Sequence, residues 1–327
     1  MRRVMELVTG LTIIAAVLAA GCQVEAAPWA PTRPVEIVVG FGPGGGVGTI
    51  AELVGKIAAE YKLSPQPVVI SYKPGANGLI ATAFVSRRQG DPHVILPGGG
   101  AITVQKATGE TPIDPLKDLT PLALSVMDYP VVITSAKSRY RTLQDTIDQS
   151  KKSPKSVTVA GAGGGVSSWD GMTTIVLGAA TGVEFNQIPF NSGAEVQAAV
   201  LGGQVDLGAR QLSNAMQLAS AGQLRILASF AGERDPRIKD VPTLKELGIN
   251  VEIAMLRGWL APPGLTKEQV AWYADFFKKV GETKAWLEFA EKNVLVNKYL
   301  GPVDFATILG SQIDTITTIY KKYGIIK

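Results

Sequence analysis

The feature that most constrains this chain is a glycine-rich turn between an apolar strand and an amphipathic helix. Residues 35–39 read VEIVV, a β-branched run typical of a buried strand. Six glycines follow within residues 40–48, and we predict that Thr49 then caps the helix behind them. Glycine permits close approach of the backbone, and a helix start presents unpaired N–H groups at its positive end. The stretch therefore predicts a site for a small anion.

Two nucleotide-binding patterns can be compared with this turn. Gly40, Gly42 and Gly45 satisfy G-x-G-x-x-G between a strand and a helix, as that pattern requires. The next predicted strand leads into SYK at residues 71–73, however, and offers no carboxylate for a ribose. A Walker motif would also need a lysine directly after the glycines. A secreted nucleotide- or phosphate-dependent enzyme using residues 40–46 is the alternative, and a tight turn without any ligand is a third interpretation.

Length and composition describe an ordered globular protein. A chain of 327 residues is too long for one modest core, which predicts about two domains. The hydrophobic content of 46% with only 18% charged residues excludes a disordered chain. The formal net charge is +4, and no basic block is interleaved with aromatics, so we expect no nucleic acid partner.

The N-terminus carries a secretion signal. Arg2 and Arg3 precede an apolar run over residues 11–20 that is too short to cross a membrane and ends at small residues. We assign residues 1–27 to the signal peptide and the start of the mature chain, which is expected to leave the cytoplasm. Cys22, the only cysteine, follows Ala-Ala-Gly, so lipid attachment there is one interpretation and ordinary cleavage near residues 24–26 is the other. A single cysteine excludes a disulfide within the chain.

The order of strand, glycine loop and helix repeats along the chain. It recurs with loops at residues 73–78 and 97–100, as expected when parallel strands of an α/β sheet end at a ligand crevice. After a crossing near residues 126–130, a strand delivers a second glycine-rich loop at 161–168. We predict one lobe from residues 28–127 and 251–327 and another from 128–250, with the strand at 224–230 returning to the first lobe.

Six segments resemble the periplasmic solute-binding proteins of tripartite tricarboxylate transporters, the TctC or Bug family. They are RPVEIVVGFGPGGG at residues 33–46, KPGANGLI at 73–80, IPFNSGAEVQAAVLGGQVDL at 188–207, LRILASFAGER at 224–234, VPTLKELG at 241–248 and GWLAPPGL at 258–265.

The resemblance implies a type II periplasmic binding-protein fold, in which two doubly wound α/β lobes enclose a cleft. Loops from both lobes would hold a carboxylate through backbone N–H groups and ordered water. The implied ligand is a small mono- or dicarboxylate, aromatic acids included, and the implied partners are the membrane components of the transporter. A monomer without cofactor in the periplasm is expected.

The chain departs from the family pattern at three places. Gly48 stands where the family places an aspartate, and loss of that charge makes the helix start more favourable to an anion. Trp169 and Asp170 stand where the family often places histidine after paired serines. Arg210 follows QVDL, where the family commonly has an acidic or amide residue. The departures leave the identity of the carboxylate open.

The expected ligand contacts lie in these loops and their flanks. They are Phe41, Gly44, Gly45, Gly46, Val47, Gly48, Thr49, Asn77, Gly99, Ala162, Gly163, Gly164, Gly165, Val166, Ser167, Ser168, Asn191 and Arg210.

Several of these side chains have two interpretations. Arg210 either grips a second carboxylate with two parallel hydrogen bonds or forms a salt bridge on the cleft rim. Trp169 either stacks on a ring of the ligand or fills core. Ser167 and Ser168 donate to the ligand, cap the following helix, or do both. Turn formation is the default role of the two asparagines.

No catalytic set is recognisable. His93 is the sole histidine and follows Pro92 at a strand start, where a turn role is expected. No His-x-x-His, Glu-x-x-His or cysteine pair offers a metal site, and no Gly-x-Ser-x-Gly elbow occurs. The sequence thus favours a binding protein over an enzyme, without a metal or cofactor.

Overall fold

A computed structural model describes residues 29–43, 46–162, 166, 168–190 and 192–326. Over these residues the chain alternates strands and helices and forms two separate sheets, which confirms the predicted α/β class. None of the described helices is long and apolar enough to cross a membrane. The predicted signal peptide, including Cys22, lies outside the described residues.

The first sheet has six strands in the order β11-β4-β10-β3-β1-β2. The parallel strands β1, β2 and β3 lie on one side, and β10 and β11 pair antiparallel with β4 on the other. The strands are β1 Val35–Val39, β2 Val68–Tyr72, β3 Val94–Gly99, β4 Thr120–Asp128, β10 Met255–Ala261 and β11 Val296–Leu300.

The second sheet has five strands in the order β7-β6-β8-β5-β9. Strand β6 is parallel to both of its neighbours, and β5 is antiparallel to β8 and β9. The strands are β5 Pro130–Ser135, β6 Thr158–Ala162, β7 Asn186–Phe190, β8 Leu207–Gln211 and β9 Leu224–Ser229.

The described helices cover both sheets. They are α1 Gly46–Glu60, α2 Leu79–Ser86, α3 Gly100–Thr108, α4 Leu143–Lys152, α5 Trp169–Thr181, α6 Gly193–Leu201, α7 Leu212–Ser220, α8 Lys267–Glu282, α9 Lys284–Lys292 and α10 Pro302–Lys322. Two short 3₁₀ turns, Ala76–Gly78 and Pro236–Ile238, complete the set.

Four details differ from the sequence-based expectation. Strand β9 pairs with β5 in the second sheet, so the prediction that residues 224–230 return to the first lobe is wrong. Residues 97–99 continue β3 instead of forming a loop, because they pair with β10. Helix α1 starts at Gly46, so Thr49 lies inside its first turn and is not the cap. Helix α7 and strand β11 were not predicted.

The described chain passes between the two sheets twice. Only Tyr129 separates β4 from β5, and residues 230–254 connect β9 to β10. One hydrophobic cluster also extends across both halves, since α3 and α10 pack on α5 through residues such as Val104, Met172 and Ile316. The lobe boundaries themselves stay a prediction.

Candidate ligand-binding site

The first glycine-rich turn packs directly on the loop that follows β2. A β-carbon at Gly40 would lie 2.8 Å from the Cα of Gly78, and the ring of Phe41 lies over the same glycine. The first turn of α1 consists of Gly46, Val47, Gly48 and Thr49, and Gly46 is exposed. Gly44 and Gly45 lie outside the described residues. The exposed helix start is thus held against a second loop.

Three predicted site residues line one small cavity. Phe41, Asn77 and Gly99 surround a volume of about 30 Å³ at the ends of β1 and β3. Asn77 has a φ of 51°, and its carbonyl accepts a hydrogen bond from Nε2 of Gln105 at 3.1 Å. Gly99 has a φ of 135°, and a β-carbon there would lie 2.7 Å from the carbonyl oxygen of Leu256. Only glycine fits at residue 99 without strain.

The second glycine-rich loop connects β6 to α5. Ser168 caps α5, because its hydroxyl accepts from the N–H of Gly171 at 3.1 Å, which confirms one of its two predicted roles. The carbonyl of Val166 accepts a hydrogen bond of 2.7 Å from the hydroxyl of Tyr320 on α10. Ala162 ends β6. Predicted contacts Gly163, Gly164, Gly165 and Ser167 lie outside the described residues.

Trp169 belongs to the core. It is 8% exposed and packs in the hydrophobic cluster that α5 shares with β5 and α10. Of the two interpretations, core filling therefore describes its position in this structure. Its indole Nε1 is buried and finds no acceptor among the described residues.

Arg210 forms a largely buried ion pair. Its Nη1 lies 2.5 Å from Oδ2 of Asp170, and both side chains are 11% exposed. Gln211 donates to the other oxygen of the same carboxylate at 3.0 Å. A β-carbon at Gly193 would lie 1.8 Å from Nη1 of Arg210, so the guanidinium occupies the side-chain space at the start of α6. Asn191, just before that helix, lies outside the described residues.

A second arginine, Arg257 on β10, was missed by the sequence analysis. It pairs in register with Gly99, and a β-carbon at Gly46 would lie 2.7 Å from its Nη1. Its Nη2 lies 3.5 Å from Oδ2 of Asp128, whose side chain is fully buried. The available signal was a cation inside the otherwise apolar strand MLRGWLA, since buried arginines are rare unless paired.

Asp128 and Ser213 connect the two halves at the first crossing. The hydroxyl of Ser213, on α7, donates to Asp128 at 2.5 Å, and its N–H donates at 3.4 Å. Burial raises the pKa of Asp128 above its ordinary value, opposed by the charge of Arg257 and by these hydrogen bonds. The next residue, Asn214, donates to Oε1 of Gln211 at 3.1 Å. The two arginine–aspartate pairs are therefore joined through the start of α7.

The described residues offer no cluster of three or more histidine, cysteine or carboxylate side chains for a metal ion. What the arrangement does offer is glycine-rich backbone, helix starts and arginines, which are groups that bind anions. Two α/β sheets joined by two crossings, with such groups on their strands and helix starts, form the two-lobed α/β architecture expected of a ligand-binding protein.

Residues 55–325 match the family described as Tripartite tricarboxylate transporter family receptor, TctC. The match covers most of the chain, which therefore belongs to this family.

Solved structures agree with the fold. A TctC solute-binding protein from Polaromonas, solved without ligand, has a TM-score of 0.80 at 24% identity and covers 89% of this chain and 99% of its own. MatC from Rhodopseudomonas palustris with bound malate has a TM-score of 0.72 at 24% identity, covering 88% and 99%. Another R. palustris protein, solved with adipate, has a TM-score of 0.74 at 23% identity, covering 90% and 98%.

Proposed function

We propose that this protein captures a small organic carboxylate between two lobes and delivers it to a membrane transporter of the tripartite tricarboxylate type. The observation that carries the proposal is the pair of glycine-rich turns, each between a strand and a helix, in a chain that belongs to the TctC family. Malate and adipate in two structural neighbours support a carboxylate as the ligand class.

The carboxylate is held by backbone N–H groups of residues 44–49 from one lobe and 163–168 from the other. Glycine exposes these groups without a side chain in the way, and the start of each helix adds a positive dipole end. The exposed position of Gly46 and the Ser168 cap at the start of α5 support this assignment. No chemistry on the ligand is involved, so the protein acts as a receptor and not as an enzyme.

Delivery to a transporter places the protein in the periplasm. The predicted leader at residues 1–27 supports export, and mass spectrometry of the protein from a Gram-negative host would reveal its removal and any lipid on Cys22. An intact Met1 in the cytoplasmic fraction would contradict export.

A thermal-shift screen tests the function. Ligands that bind only the folded state raise the melting temperature, by an amount equivalent to about 2.7 kcal/mol at 100 times the dissociation constant. The panel contains malate and adipate, their one-carboxyl counterparts 2-hydroxybutyrate and hexanoate, citrate and benzoate, with ATP and NAD for comparison. We expect at least one carboxylate to stabilise the protein. Stabilisation by ATP or NAD alone would support the nucleotide alternative instead.

A further inference from the structure

Arg257 lies beside the start of α1 but away from the helix axis. The N–H groups of a helix start point along the axis, whereas the β-carbon direction points outward from it. Nη1 of Arg257 occupies the outward space at Gly46, at 2.7 Å from a β-carbon built there. An anion on the N–H groups would therefore have the guanidinium at its side, where a second anionic group can be bound.

Arg257 is also the less neutralised of the two arginines. A guanidinium has five N–H donors. Among the described residues, the side chain of Arg257 has one acceptor, Asp128, at the long distance of 3.5 Å, and its buried Nε has none. The buried Nε of Arg210 likewise has no acceptor among the described residues, but its Nη1 lies only 2.5 Å from its aspartate, so the difference between the two arginines is the distance to the carboxylate.

Asp128 does not depend on Arg257 alone. Its carboxylate accepts two hydrogen bonds from Ser213, one of them at 2.5 Å. Asp128 thus neutralises the positive charge of Arg257 only in part, and the side chain of Arg257 is 16% exposed.

We propose that Arg257 binds a second acidic group of the ligand, next to a first carboxylate on the N–H groups at the start of α1, and thereby selects dicarboxylates. The proposal rests on the proposed function and names the substrate class of the same site. A planar guanidinium suits a carboxylate because the two can form parallel hydrogen bonds.

Isothermal titration calorimetry with malate and 2-hydroxybutyrate, and with adipate and hexanoate, tests the proposal. We expect Arg257→Gln to weaken the dicarboxylate that wild type binds by roughly 10- to 100-fold, the range for a charged hydrogen bond, and to leave its monocarboxylate counterpart nearly unchanged. Arg225→Gln is the matched control, since Arg225 donates to the carbonyls of Tyr140 and Ala136 instead.

A double variant shows whether Arg257 binds the ligand or only neutralises the buried charge of Asp128. If Arg257 only neutralised Asp128, Arg257→Gln with Asp128→Asn would bind dicarboxylates as wild type does. We expect no such recovery. If Arg257→Gln fails to fold, Arg257→Lys replaces it, and lysine, which cannot form the paired hydrogen bonds, should still weaken the dicarboxylate selectively.

The possible results distinguish a failure of this inference from a failure of the proposed function. Equal losses for both ligand types, recovery in the double variant, unchanged binding in the Arg257 variants, or a wild type that binds only monocarboxylates would overturn the inference and leave the proposed function standing. A wild type that binds no carboxylate of the panel would overturn the proposed function and this inference with it.

Discussion

Two largely buried arginines, Arg210 and Arg257, differ in how closely each is paired with its aspartate. Arg210 stands near the end of strand β8, and the sequence left open whether its side chain contacts the ligand or forms a salt bridge. Its partner Asp170 is 40 residues away in the chain, and only folding brings the two to 2.5 Å. Periodicity and motif spacing carry no information on such a contact.

The Arg210–Asp170 pair should contribute to stability. Removing one partner leaves a buried, uncompensated charge, which typically costs about 3–5 kcal/mol. We expect Arg210→Ala to lower the free energy of unfolding by this amount, and Arg210→Ala with Asp170→Asn to recover a large part of it. Urea denaturation measures both.

The exposed pair Arg234–Glu246 provides a control for that experiment. Its side chains are 44% and 46% exposed, so Arg234→Ala should cost no more than about 1 kcal/mol. If Arg210→Ala leaves stability unchanged but weakens dicarboxylate binding, the first of the two interpretations from the sequence, in which Arg210 contacts the ligand, is the correct one.

His93 should make stability depend on pH. It is 7% exposed, and its Nε2 accepts from the N–H of Thr32 at 3.2 Å, which a protonated ring cannot do. Burial lowers the pKa of His93, Arg33 lowers it further, and Asp91 opposes them. The folded state therefore favours the neutral ring, and its stabilisation is present above the unfolded pKa of about 6.5 and is lost as the pH falls below it.

Denaturation of wild type and His93→Gln at pH 7, 6 and 5 measures this effect. The free energy of unfolding of wild type should fall more steeply toward pH 5 than that of the variant. Equal slopes would show that His93 does not titrate differently in the folded and unfolded states.

Among the elements, helix α10 has a function that its sequence does not reveal. It follows the last strand of the first sheet, yet its buried Tyr320 donates a hydrogen bond to Val166 in the loop before α5. Tyr323, one turn further on, donates to the carbonyl of Ala179 near the other end of α5. The C-terminal helix thus contacts both ends of a helix from the other half.

Tyr320→Phe tests whether α10 positions the second glycine-rich loop. Loss of the hydrogen bond should lower stability by about 0.5–1.5 kcal/mol and weaken carboxylate binding several-fold, because Val166 is then free to move. Tyr323→Phe, which removes a similar bond far from the loop, should leave binding unchanged. Equal binding losses in the two variants, measured by calorimetry, would contradict a specific role of Tyr320.

Helices and strands could be predicted from the sequence where residues at both ends signal the start and the end of the element. Helix α5 begins and ends at residues that signal helix termini in the sequence, because Ser168 caps its first turn and Gly182 follows its last residue. Helix α7 was missed since Gln211, before its first residue, provides no side-chain cap. Strand β11 was missed because its conformation depends on pairing with β4, which is distant in the chain.

For the molecule as a whole, the two crossings at Tyr129 and at residues 230–254 are the expected hinge. Binding between two lobes should draw them together by rotation about these segments. Small-angle scattering with and without a carboxylate identified in the thermal-shift screen should show a smaller radius of gyration in the bound state. An unchanged radius at saturation would count against closure, and the contacts of α3 and α10 with α5 would then hold the halves fixed.

Sequence alone determined the α/β class, the glycine-rich turns and the family, because strand periodicity, glycine content and motif order are all local properties of the chain. Tertiary structure decided which residues stand at the site. Arg257 reaches Gly46 only because β10 inserts between β3 and β4, more than 120 residues after either strand. The pairing of Arg210 with Asp170 likewise depends on the packing of α5 against β8. Charged residues this far apart in the chain come into contact only when the chain folds. Local sequence patterns therefore cannot predict such contacts.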